Sequence, residues 1–90
     1  MPLVSGTLTL NGSAQQLTTT STYVVGVYFT TPAASVTISN SSSVTAGGAG
    51  ITPATTSTFG ITGPQGVFNL NEFWVIGTNT QKLTWIGVTR

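Results

Sequence analysis

Tyr23-Val24-Val25-Gly26-Val27-Tyr28-Phe29 is a run of β-branched and aromatic residues with a single glycine inside it. Such residues fit a pleated, packed surface, and the run predicts a strand. Val25, Val27 and Phe29 would share one face, and Val24, Gly26 and Tyr28 the other. With apolar side chains on both faces, the strand is expected to be central and covered on both sides. Thr31-Pro32 closes it, because proline has no ladder donor and pushes its predecessor toward extended or turn geometry.

Working outward, the same signals recur. Leu8 and Leu10 alternate with Thr7 and Thr9, and Asn11-Gly12 supplies the positive-φ pair favoured by two-residue hairpins. Strands one and two are therefore predicted to form a hairpin that returns through residues 15–19. Val36 and Ile38 alternate with Ser35, Thr37 and Ser39 as a short half-buried strand. Residues 40–53, with Ala46-Gly47-Gly48-Ala49-Gly50 at their centre, read as a surface loop holding at most one brief strand. Residues 56–61 predict another strand, Gly63-Pro64-Gln65-Gly66 a turn, and residues 73–77 and 83–88 a closing hairpin around residues 78–81. No stretch places apolar residues at helical spacing over a helix length, and no period of 20–50 residues recurs. The expectation is one all-β domain over residues 1–90, a small antiparallel β-sandwich or jelly-roll-like barrel of about seven or eight short strands.

The charge count is unusual. Lys82, Arg90 and Glu72 are the only charged side chains, a 3% fraction, against about 25% in ordinary soluble domains. A net charge of +1 gives little repulsion between free copies, which points to permanent association. A 90-residue chain also buries only about 60–70% of its unfolded surface. Without cysteine or histidine it has neither a disulfide nor a plausible structural metal site, so docking or oligomerisation is the remaining source of added stability.

The same composition removes most chemistry. A hydroxyl nucleophile needs a base, and glycoside hydrolysis needs two carboxylates, but the chain has no histidine and one acidic side chain. The expectation is a non-enzymatic protein with no cofactor. The glycine cluster leads into Ile51-Thr52-Pro53 rather than a helix with a lysine, so it is a turn and not a phosphate cradle. Two basic residues cannot supply nucleic-acid backbone binding. No apolar stretch approaches the roughly 20 residues of a spanning helix, so no membrane partner is expected. Met1-Pro2-Leu3-Val4-Ser5-Gly6 has no basic region ahead of a hydrophobic run; the chain is expected to stay in the cytosol or to leave it inside a larger particle. Thr-x-Thr pairs at Thr7/Thr9, Thr18/Thr20, Thr56/Thr58 and Thr78/Thr80 place hydroxyls on strand faces as ice-binding surfaces do, but without their fixed repeat.

What is left is contact. Tyr23, Tyr28, Trp74 and Trp85 serve either a core or an interface, with core the default. In Phe73-Trp74-Val75-Ile76 and Leu83-Thr84-Trp85-Ile86 apolar residues point both ways, so one face of the expected last hairpin is a candidate interface. Glu72 and Lys82 bracket that hairpin and would meet across it as a surface pair worth at most about 1 kcal/mol; the sharper reading has Glu72 orient a basic partner, with Arg90 doing the converse.

Val36-Thr37-Ile38-Ser39-Asn40-Ser41, Gly50-Ile51-Thr52-Pro53, Phe59-Gly60-Ile61, Leu70-Asn71-Glu72-Phe73-Trp74-Val75-Ile76-Gly77-Thr78 and Leu83-Thr84-Trp85-Ile86-Gly87 together resemble small β-structured virion proteins of tailed bacteriophages. The resemblance covers roughly the C-terminal two-thirds and includes no invariant chemical group. It implies a capsid decoration or cement protein, made in the host cytoplasm and located in the virion, whose partners are the major capsid protein and copies of itself. A tail or fibre module, or a carbohydrate-binding host-adhesion module with a host glycan as partner, is the alternative.

Overall fold

A computed structural model describes residues 3–62 and 67–89. The strands, in chain order, are β1 (Leu3–Thr9), β2 (Gln15–Gln16), β3 (Tyr23–Val24), β4 (Gly26–Thr30), β5 (Val36–Ser39), β6 (Thr58–Thr62), β7 (Phe68–Asn69), β8 (Trp74–Gly77) and β9 (Lys82–Val88), with one 3₁₀ turn at Leu70–Glu72. They form three packed antiparallel sheets, ordered β1-β9-β4-β6, β2-β8-β5 and β3-β7. The fold is all-β, with nine strands among the described residues where seven or eight were expected. The Gly63-Pro64-Gln65-Gly66 turn and Arg90 lie outside the described residues.

The central stretch is split where its glycine stands. The Val25 N–H donates to the Val88 carbonyl at 2.8 Å, while Gly26 is itself the register partner of Val88. Two residues of one strand therefore oppose one of the other, a bulge that flips the side-chain parity. As a result Val24 and Val27 are both fully buried, although the unbroken alternation predicts them on opposite faces. β4 does sit inside its sheet, but only one of its faces is covered, because Tyr28 stays 44% exposed.

Neither predicted hairpin forms. At residues 11–13 the turn chemistry is as expected: Gly12 has φ +85° and the Asn11 Oδ1 accepts from the Ser13 N–H at 2.9 Å. The chain nevertheless leaves β1 for another sheet, where Gln15 pairs with Val75. Leu10 is held in the β9 ladder by its N–H to the Gln81 carbonyl, and Leu17 by its N–H to the Phe73 carbonyl. Both leucines are buried in the shared core, and crossing between sheets achieves this. Residues 78–81 do the same in reverse, carrying the chain from β8, paired with β2 and β5, to β9, paired with β1 and β4. The two crossing turns are stitched together where the Thr80 N–H donates to the Leu10 carbonyl at 2.9 Å.

The core draws on the two larger sheets together: Val27, Phe29 and Leu83 from one, Val36, Ile38 and Val75 from the other. Phe29 joins them, stacked on Phe59 with ring centroids 5.4 Å apart and edge-on to Phe73 at 5.8 Å. Such pairs contribute about 0.5–1.5 kcal/mol each beyond the area they bury.

Candidate contact face

Residues directly opposite one another on neighbouring antiparallel strands point to the same face. In the four-stranded sheet the inward positions are Val27, Phe29 and Leu83, so their neighbours in sequence point outward. The registers then line these neighbours up in rows. Thr7, Thr84, Thr30 and Thr58 stand side by side across all four strands. With strands about 4.8 Å apart, that row spans about 14 Å. The next row is Ser5, Ile86, Tyr28 and Gly60, and beyond it Leu3, Val88, Gly26 and Thr62.

Tyr28 lies across its neighbour strand rather than standing away from the sheet. A Cβ at residue 60 would fall 2.5 Å from the Tyr28 Cε1, so glycine there lets the ring lie down. Tyr28, Ile86 and Leu3 are 44%, 41% and 60% exposed, which gives the face an apolar end beside its threonine end. Between them is a shallow depression of about 240 Å³ lined by Tyr28, Thr30, Thr58, Thr84, Trp85 and Ile86. Lys82 is the one charged residue on this face among the described residues, at its threonine end opposite Thr9.

The residues singled out from sequence are not brought to one place. Of Tyr23, Tyr28, Trp74, Trp85 and Glu72, Tyr28 alone belongs to this face. Trp85 is on the inner side of the same sheet, with its ring over Gly6, where a Cβ would lie 2.6 Å from the Trp85 Cζ2. Trp74, half-buried, pairs with Gln16 and Ser39 in the three-stranded sheet and points away from that sheet's buried Val75 and Ile38. Tyr23 is exposed on the two-stranded ribbon opposite Asn69.

Glu72 has a local role. Its Oε2 accepts from the Asn69 N–H at 3.4 Å, and the Asn69 Oδ1 accepts from the Asn71 N–H at 3.2 Å, a capping box on the 3₁₀ turn. Because the segments carrying Glu72 and Lys82 enter different sheets, the two do not face each other across a hairpin.

No family model, curated protein or solved structure matches the chain.

The buried polar side chains serve structure. The Thr31 Oγ1 donates to the Ala54 carbonyl at 2.7 Å and accepts from the Ser57 N–H at 2.9 Å. Asn69 ties β7 to the segment leading into β3, accepting from the Thr22 N–H at 2.9 Å and donating to the Ser21 Oγ at 2.7 Å. Among the described residues no buried side-chain nitrogen or oxygen lacks a partner. The exposed face of the four-stranded sheet is thus the candidate surface, and of its aromatic and charged side chains sequence reasoning named only Tyr28 as an interface residue. Each strand's Thr-x pattern was visible, but only the order β1-β9-β4-β6 makes it a surface.

Proposed function

We propose that this chain is a non-enzymatic structural protein of a virion, a capsid decoration or cement protein that lays the outer face of its four-stranded sheet on the assembled shell. The observation that carries the reading is that face: broad, apolar at one end, hydroxyl-lined at the other, with one charged side chain among the described residues. Apolar contact and hydroxyl hydrogen bonds suit a permanent protein interface, and a ligand that binds only the assembled state stabilises that state. The core shared by Phe29, Ile38 and Val75 supports reading the two larger sheets as the halves of a small sandwich, a compact clamp over joints between shell subunits. Many copies would multiply weak contacts into avidity.

The depression beside Tyr28 favours one other reading, host adhesion, since an aromatic ring flanked by hydroxyls suits the face of a sugar. A glycan site of this kind gains from several exposed aromatic rings in one groove, and here Trp74 is half-buried in the other sheet while the ring of Trp85 lies over Gly6 on the inner side.

The test incubates the purified chain with capsids lacking it and, separately, with cell-wall glycans, and measures by sedimentation which carries it down. Capsid binding is expected to saturate and to be lost in Ile86→Lys, whose circular dichroism stays that of the parent. Binding to glycan alone would make the protein an adhesin, and binding to neither would overturn both readings.

A further inference from the structure

We propose that the chain assembles edge to edge, β6 of one copy pairing with β1 of the next so that the four-stranded sheet continues from copy to copy. This goes beyond the contact-face reading and holds whatever that face meets.

The hydrogen-bond phase shows which backbone groups are free. The Leu10 N–H donates to the Gln81 carbonyl, so by alternation Leu8, Gly6 and Val4 turn their N–H and C=O toward β9, and Leu3, Ser5 and Thr7 point outward. The Thr9 carbonyl, on the same outward side, is capped by the Gln15 Nε2 at 3.2 Å. At the other edge the Thr31 N–H donates to the Ser57 carbonyl at 2.9 Å, which makes Phe59 and Ile61 the residues bonded to β4 and leaves Thr58, Gly60 and Thr62 outward. Among the described residues no hydrogen bond reaches the outward backbone groups of Leu3, Ser5, Thr7, Thr58, Gly60 or Thr62.

Direction and register agree. All three pairings in the sheet are antiparallel, so β1 and β6 run opposite ways, and β6 beside β1 of an identically oriented neighbour is antiparallel again. Pairing Thr58 with Thr7, Gly60 with Ser5 and Thr62 with Leu3 of the next copy continues every row without a step. The threonine row then runs on from copy to copy, and the small Ser5 leaves room for the Tyr28 ring lying over Gly60.

On the inner side the same register sets Val4 of the next copy beside Ile61. An apolar hollow of about 300 Å³ adjoins that point, lined by Ile38, Ile51, Ile61 and Phe73 among others. An incoming strand has a place for its inward side chain.

Chains that stay single protect such edges with charge, proline or a bulge. Neither β1 nor β6 contains a charged residue or a proline. The contact is heterologous, and because sheets twist, each copy is rotated on the last, giving a ring or an open helical strip.

The chain has no cysteine, so Thr7→Cys and Thr58→Cys introduce the only thiols. Within one chain the two sites are about 14 Å apart across three strand spacings, beyond the roughly 7 Å limit for a disulfide, whereas paired strands hold Cα atoms about 5.5 Å apart. Under mild oxidation the doubly substituted chain is expected to give a ladder of multimers on a non-reducing gel. A mixture of the two single variants should give their heterodimer above either homodimer. Ser5→Pro, which removes an outward N–H and leaves the β1–β9 ladder intact, should abolish the concentration-dependent sedimentation of the parent while keeping its circular dichroism. Homodimers of Thr58→Cys or Thr7→Cys forming as readily as the mixture would replace the proposal with two-fold pairing of β6 or β1. A parent that sediments as a monomer at all concentrations, or a folded Ser5→Pro that associates like it, overturns the proposal.

Discussion

Thr84 and Thr37 hold equivalent posts and meet opposite fates. Each is an outward-pointing threonine between inward apolar neighbours: Leu83 and Trp85 for one, Val36 and Ile38 for the other. Thr84 is exposed in the middle of the threonine row, while Thr37 is 2% exposed. The difference is the glycine-rich loop of residues 40–53, which folds over the outside of the three-stranded sheet. The Thr37 Oγ1 bonds the Thr52 Oγ1 at 3.0 Å and accepts from the Gly47 N–H at 2.9 Å. Ile38 and Ile51 exchange N–H···O=C bonds of 2.8 Å in both directions, and the loop buries its own Val44. One sheet is thereby closed by its own chain and the other is left open. The same residue type is therefore buried or exposed according to whether the chain's own loop lies over it.

The largest test strikes what both faces share. Phe29→Ala is expected to cost about 3–5 kcal/mol, read by urea denaturation. Trp74 and Trp85 report the two sheets separately in single-tryptophan variants, and both signals should shift together. Two separated midpoints would mean that the faces belong to independently unfolding units. Next comes the cover alone. Gly50 has φ +143°, and a Cβ there would collide with the Ile38 carbonyl oxygen, so Gly50→Ala should cost about 1–3 kcal/mol. Amide exchange at Ile38 and Ile51 should accelerate while β9 amides change little.

Applying one substitution to both threonines sharpens the contrast. Thr37→Val removes two hydrogen bonds under the loop, at about 1 kcal/mol for each, whereas Thr84→Val on the open face should stay within about 0.5 kcal/mol. In the binding assay the order reverses: Thr84→Val weakens attachment and Thr37→Val does not. Equal stability losses at the two sites would show that the covered and open faces are energetically alike.

Local chemistry was legible and long-range pairing was not. Leu8 and Leu10 alternating with threonines, and Val36 and Ile38 alternating with Thr37 and Ser39, marked strands that form, and Asn11-Gly12 marked a turn. A turn's residues set its φ angles, though, and not the strand that follows it. Leu10 and Leu17 could be buried by a hairpin or by a crossing, and the partners that decide for the crossing, Gln81 and Phe73, lie more than fifty residues downstream. The lone Gly26 was the available sign of the bulge that displaces Val24. Asn69-x-x-Glu72 spelled out a cap that a search for charged partners passes over. The contact face needed the strand order, which no local window contains.

Glu72→Gln is the smallest effect and the most exact check on where contact occurs. The carboxylate accepts one long hydrogen bond, 3.4 Å from the Asn69 N–H, and an amide oxygen can accept it as well. Asn69 keeps its bonds to Thr22, Ser21 and Asn71 regardless. Stability should therefore change by no more than about 0.5 kcal/mol, measured by urea denaturation. Capsid attachment should be unchanged, because the 3₁₀ turn precedes β8 and contributes nothing to the outer face of the four-stranded sheet. A folded Glu72→Gln chain that no longer attaches would move the contact from the threonine face to the turn at Leu70–Glu72. Edge-to-edge pairing of β6 with β1 would be left standing by that result, because it uses the backbone at the sheet's edges and not its outer face.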